Sequence, residues 1–215
     1  MFGSMQTLSQ ILVNSNSYLD LEAALPTGAD LTVRINYAQQ AVREWADAYQ
    51  WKELKTPATL FATNGTLSLL NFKELEAIPV DLLGNEYPEI DAADRVHKSL
   101  TDKYSYVTGN EAAGYVLTLN SLAASATLSI TYQRQPSNMA TLSDLCEVPD
   151  DQFVIQKVIS LVLQSRSDER FPQVEANAQR LLGNMIGRNM IINPGGENKI
   201  RRTGSSAYRI GSSRG

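Results

Sequence analysis

One stretch limits this chain more than any other. From Phe153 to Leu163, the residues Phe153, Val154, Ile155, Val158, Ile159, Leu161, Val162 and Leu163 are apolar and cover most of the circumference of a helix. A helix of that character is buried on nearly all sides, either by its own fold or by neighbouring subunits. Val148-Pro149-Asp150-Asp151 precedes it. The proline suits a cap region, and the aspartates favour the positive end of the helix. Ser167 or Asp168 breaks the run, and Pro172 falls in the first turn of a further helix. Val174, Ala178, Leu181, Leu182, Met185 and Ile186 give that helix its stripe, and Asn193-Pro194-Gly195-Gly196 ends it.

Near the other end of the chain, Leu31, Ile35, Ala38, Val42, Trp45 and Tyr49 recur at steps of four and three. They predict an amphipathic helix of about five turns. Its N-cap is expected at Asp30, its end near Trp51, and Arg34, Gln39, Gln40, Arg43, Glu44 and Asp47 are expected on its other faces. A shorter helix is expected over 5–13. Between the two helical regions the period changes to two. Residues 58–63 and 66–70 flank Asn64-Gly65, a pair suited to a type I′ turn, and predict a hairpin. Residues 104–107, 115–119 and 126–132 alternate as half-buried antiparallel strands, with turns at Gly109-Asn110 to Gly114 and at 120–125. Pro79 and Pro88 interrupt 73–103, where 89–100 holds a short helix or an excursion loop.

The expected fold class is therefore α+β. N-terminal helices (1–54) and C-terminal helices (139–192) form a helical bundle. An antiparallel β module (55–138) is inserted between them, and an extended arm (193–215) follows.

Charge separates the arm from the rest. Residues 193–215 hold five basic residues against Glu197 alone, a net of +4, whereas residues 1–192 hold 14 basic and 22 acidic residues, a net of −8. That asymmetry suits an interaction arm. An acidic body would repel nucleic-acid phosphates, and the arm's one aromatic, Tyr208, gives no sign of base readout. No apolar run reaches the roughly 18 residues of a membrane span. The opening Met1-Phe2-Gly3-Ser4-Met5 lacks the basic and apolar regions of a secretory leader, and the single Cys146 fits a reducing compartment.

No catalytic constellation emerges. The only histidine, His97, lies in the charged Asp94-Arg95-Val96-His97-Lys98 and is expected to be exposed. Cys146 is flanked by acids and reads as a buried, inert thiol. One cysteine and one histidine cannot supply a zinc site, so no metal and no cofactor is expected. Glu86, Glu89 and Asp91 could form a cation site or a glycosidase pair, but acidic loops are common. Asn64-Gly65-Thr66 matches a glycosylation sequon, and the turn reading is preferred. Phosphate-loop, nucleophile-elbow and zinc-protease motifs are lacking.

The stretch Leu145-Cys146-Glu147-Val148-Pro149-Asp150-Asp151-Gln152-Phe153-Val154-Ile155, then Ser165-Arg166-Ser167-Asp168-Glu169-Arg170-Phe171 and 176–186, resembles the head-to-tail adaptor (connector) proteins of tailed bacteriophages. Ala41-Val42-Arg43-Glu44-Trp45 in an early helix, a Tyr-rich β insert and a basic, Gly-bearing arm add to the likeness. The resemblance implies a non-enzymatic virion protein at the head–tail junction, made in the host cytoplasm. It implies a homo-oligomeric ring, twelve-subunit by family habit, between the portal protein and a tail or nozzle protein. DNA would pass through the lumen without being read, and no membrane is involved. Phe153, Ile155, Val158 and Val162 become candidates for subunit packing. In the arm, Arg201, Arg202, Arg209 and Arg214 would pair with portal carboxylates, and Ile200, Tyr208 and Ile210 would anchor. At about 3.3 Å per residue the arm spans up to about 75 Å.

Three rival readings differ in class. One is another phage tail-completion or baseplate component. A second is a carbohydrate-binding module with Tyr104, Tyr106, Tyr115 and Tyr132 as a sugar platform, although alternating tyrosines are more often cross-strand packing pairs. The third is a nucleic-acid-binding regulator acting through the arm.

Overall fold

The computed structural model describes residues 5–19, 23–61, 65–120 and 127–192. Among the described residues, four helices and seven strands give the expected α+β class, with N- and C-terminal helices in one bundle and antiparallel sheets between them. The arm and the turn expected at 120–125 fall largely or wholly outside the described residues.

Helix α1 (Leu8–Tyr18) starts at a reciprocal cap: the Gln10 N–H donates to Thr7 Oγ1 at 3.3 Å, and the Thr7 N–H donates to Gln10 Oε1 at 2.8 Å. This Thr-x-x-Gln box satisfies two otherwise orphaned donors, and the helix runs five residues past the expected end. Helix α2 (Gly28–Ala48) takes Thr27, not Asp30, as its N-cap residue. Asp30 lies within the first turn and reaches forward to Arg34, 3.0 Å away. Arg34, expected off the apolar stripe, is fully buried. Its guanidinium also donates to Asn16 Oδ1 of α1, and Asn16 in turn donates to the Ala24 carbonyl at 2.6 Å, so the helix-to-helix turn closes over a buried charge. The helix stops at Ala48, before the expected end near Trp51. The chain turns back there, so that Trp51 stacks on Trp45 at 5.1 Å and donates to the Trp45 carbonyl at 2.6 Å.

Helix α3 (Asp151–Ser165) is capped by Asp150, and α4 (Phe171–Ile192) follows a tight junction at Ser167, which adopts a left-handed φ of 54°. The bundle core joins Leu8, Ile11 and Leu12 of α1 and Ala38, Val42 and Trp45 of α2 to the apolar face of α3 and to Ala178, Leu182 and Met185 of α4. A three-helix clamp reinforces it. The ammonium of Lys157 sits 2.9 Å from Glu44 and 2.6 Å from Glu175, while Ser160 donates to the second oxygen of Glu175 at 2.5 Å.

Among the described residues the β module holds two antiparallel sheets. In the first, β7 (Thr127–Arg134) is the hub: β1 (Lys55–Phe61) lies along one edge, and β3 (Phe72–Leu75) and β4 (Val80–Asp81) follow one another along the other. The second has the order β2-β6-β5, from Thr66–Leu69, Gly114–Leu119 and Ser105–Asn110. The hairpin expected across Asn64-Gly65 does not form, because β1 pairs with β7 and β2 with β6. Asn64 itself lies outside the described residues. Gly65, at φ 73°, begins the second sheet, and its carbonyl accepts the Leu119 N–H at 2.8 Å. The strands on either side of residues 120–125 likewise belong to different sheets. Leu67, Leu69, Leu117 and Leu119 of one sheet and Phe72, Leu128, Ile130 and Tyr132 of the other share a second hydrophobic core, separate from the helical one.

Candidate interaction surface

The burial of α3 redefines several candidate residues. Phe153, Ile155, Val158 and Val162 are enclosed by their own bundle and leave no surface for a neighbouring subunit. The apolar circumference of α3 is thus used up inside one chain, and it gives no support to a ring. Ile200, Arg201, Arg202, Tyr208, Arg209, Ile210 and Arg214 lie outside the described residues. Tyr104, Tyr106, Tyr115 and Tyr132 form no common platform. Tyr132 and Tyr115 flank Phe72 at 6.0 and 5.5 Å, Tyr132 and Tyr104 are buried, and Tyr106 lies under the Arg95 guanidinium. Tyr104 and Tyr106 pack on each other at 6.3 Å, so the ring contacts of these tyrosines help to pack the module.

His97 is exposed in a 3-10 turn (Asp94–His97). Cys146 is fully buried, and burial pushes its thiol up to about 11, helped by Asp151 and Glu147. Among the described residues no cluster of three or more metal-binding side chains occurs, and Glu86, Glu89 and Asp91 make no such group. Burial and then the nearby Glu74 hold the Glu89 carboxyl above its ordinary range.

What the module does present is apolar side chains on pinned loops. Strand β4 ends in a turn organised by Asp81. One carboxylate oxygen accepts the N–H groups of Leu83 and Asn85 at 2.9 and 2.8 Å; the other accepts the Asn85 side chain at 2.8 Å and the Tyr87 hydroxyl at 3.2 Å. Led by the Asn85 side-chain bond, these donors hold the Asp81 carboxyl below its usual range. The turn is thereby fixed, yet Leu82 and Leu83 at its tip are 76 % and 87 % exposed. A second loop follows the same design. Asn120 Nδ2 lies within hydrogen-bonding distance of the carbonyls of Ser99, Leu100 and Asp102 (2.7 to 3.3 Å), while Leu100 is 88 % exposed. Both loops leave one junction, where the Ser105 N–H donates to the Pro88 carbonyl and the Ile90 N–H to the Ser105 carbonyl.

No family model matches this chain, and no curated protein matches it. Ordering a loop and leaving its leucines in water is unfavourable for an isolated molecule, and contiguous exposed apolar surface marks contact sites. A second surface lies at the seam between bundle and module. There the exposed Met5 and Leu145 border an open groove over the Arg134–Glu147 pair, whose charged atoms are 2.9 Å apart. Sequence reasoning singled out neither Leu82-Leu83 nor Leu100. The signal for the first was legible in Asp81-Leu82-Leu83-Gly84-Asn85, two apolar residues between turn formers.

Proposed function

We propose that the chain is a structural assembly protein, the head-to-tail adaptor of a tailed bacteriophage. In this reading copies of the chain form a ring between the portal and the tail. The arm grips the portal, the β module meets a tail or nozzle protein, and DNA crosses the lumen unread. The observation that carries the assembly reading is the pair of pinned loops with Leu82, Leu83 and Leu100 held out to solvent. Such preorganised apolar side chains lose little freedom on docking. The adaptor reading adds the resemblance of 140–192 and the opposition between basic arm and acidic body.

The test is co-sedimentation with portal rings. Removing 193–215 should abolish binding while leaving the far-ultraviolet circular dichroism unchanged. Portal binding undiminished by the truncation would refute arm docking.

A further inference from the structure

The leucine-bearing turn lies within the most one-sided charge stretch of the body. Between Glu74 and Asp94 there are seven acidic residues and no basic one. Glu76, close to the sheet, is matched by Lys55 at 2.7 Å. Glu86, Asp91 and Asp94 are exposed, the carboxyl of Glu89 is partly screened from water although the residue as a whole is exposed, and none of the four makes an ion pair among the described residues. Glu89 is held above its ordinary range by burial and by Glu74, a repulsion that a nearby cation would relieve. This face therefore suits a ligand that is basic and carries apolar anchors.

The chain holds such a ligand beyond the last residue of α4. Residues 193–215 combine Lys199, Arg201, Arg202, Arg209 and Arg214 with Ile200, Tyr208 and Ile210. We propose that this segment docks in cis on the acidic turn at Leu82–Leu83 of its own chain, shielding the leucines until assembly partners displace it. Geometry permits it. A body of 192 residues has a radius of gyration of about 16 Å, against an arm reach of up to about 75 Å. Tethering supplies an effective concentration on the order of millimolar, so weak charge pairs and one or two apolar contacts suffice. The proposal rests on the reading of that turn as a partner surface. It gives the arm two successive sites, its own module and then the portal.

The experiment is limited trypsin digestion of the full chain, following cleavage after Lys199, Arg201, Arg202 and Arg209. A synthetic 193–215 peptide provides the unprotected rate. At low salt, cleavage in the chain should be at least about tenfold slower than in the peptide, and that protection should vanish near 1 M salt, where charges are screened within about 3 Å. Leu82→Asp/Leu83→Asp should remove the protection at low salt. Glu86→Lys/Glu89→Lys/Asp91→Lys should do the same, and it decides the matter if the leucine variant fails to fold by circular dichroism. Arm cleavage as fast as in the peptide would overturn the proposal, as would protection that survives the folded variants. Protection that rises with protein concentration would assign the arm to a second copy and equally overturn docking in cis. Portal co-sedimentation is read separately, so loss of the adaptor reading and loss of this one are distinguishable.

Discussion

Replacing Lys157 with methionine tests how the bundle is held. Its ammonium lies between Glu44 on α2 and Glu175 on α4, with side-chain exposures of 8 %, 31 % and 24 % respectively. Methionine keeps the stem's packing but leaves two carboxylates facing each other. Breaking a fully buried pair costs about 3–5 kcal/mol, and an exposed pair contributes about 0–1 kcal/mol. Water reaches a quarter to a third of both carboxylates here, so the loss should lie between those limits, at about 2 kcal/mol. For a chain of this size that lowers Tm by about 4–8 °C. Denaturant titration and thermal melts measure it, and a cycle with Glu175→Gln should return a coupling of about 1–2 kcal/mol. The pH dependence supplies a sign. Burial raises the Glu175 carboxyl, but hydrogen bonds from Lys157, Ser160 and Gln179 outweigh it and leave the group below its ordinary range. A depressed carboxyl stabilises above its unfolded value, and that stability is lost as pH falls through the folded one. Burial lowers the Lys157 ammonium, yet its bonds to Glu175 and Glu44 prevail and raise it. Its contribution is complete below the ordinary lysine range and fades as pH climbs through the elevated value. The gap between wild type and Lys157→Met should therefore be flat near neutrality and shrink at both extremes. A loss under about 0.5 kcal/mol, or a gap that widens in acid, would refute the reasoning.

Two further predictions concern the module and the thiol. Gly109 sits at φ 108°, and a Cβ there would lie 2.0 Å from the Gly114 carbonyl oxygen, so Gly109→Ala should destabilise the β5–β6 hairpin by about 2–3 kcal/mol. Hydrogen exchange should show the loss concentrated in 105–119. Cys146, buried and raised to about 11, should resist iodoacetamide at pH 8 in the native chain and react readily in denaturant. Equal rates would contradict its burial.

The helices were legible because their signals are local. The stripe of α2 and the apolar run of α3 recur within a few turns, and Asp150-Asp151 marks a start in its own letters. The capping box of α1 was equally present in Thr7 and Gln10. Strand positions were legible through alternation at Leu67-x-Leu69, Leu117-x-Leu119 and Leu128-x-Ile130-x-Tyr132. Strand partners were not. Asn64-Gly65 favours a two-residue turn, but β7 offers β1 a longer register, from Lys55 opposite Gln133 to Phe61 opposite Thr127, and long-range pairing prevailed. The burial of Arg34 was not legible for the same reason: its partner Asn16 lies 18 residues away on another helix. The loop that carries Leu100 depends on Asn120, 18 to 21 residues from the carbonyls it holds, a spacing that no local pattern encodes.

The two strands that tie the module to the bundle are immediate neighbours. Lys55, just after the bundle's Leu54, sits opposite Gln133, and the Gln133 side chain donates to the Trp51 carbonyl at 3.2 Å. Opposed residues in an antiparallel ladder lie about 5 Å apart. The chain thus leaves and re-enters the helical part through a single narrow doorway. For the helices, everything between Lys55 and Gln133 is topologically equivalent to one short loop. Lys73 of the module also reaches back to Asp47 and the Ala46 carbonyl of α2, so the bundle's ties to the module stay close to that doorway, and a lineage can rewrite the far end of the module to suit a new partner while its helices stay the same.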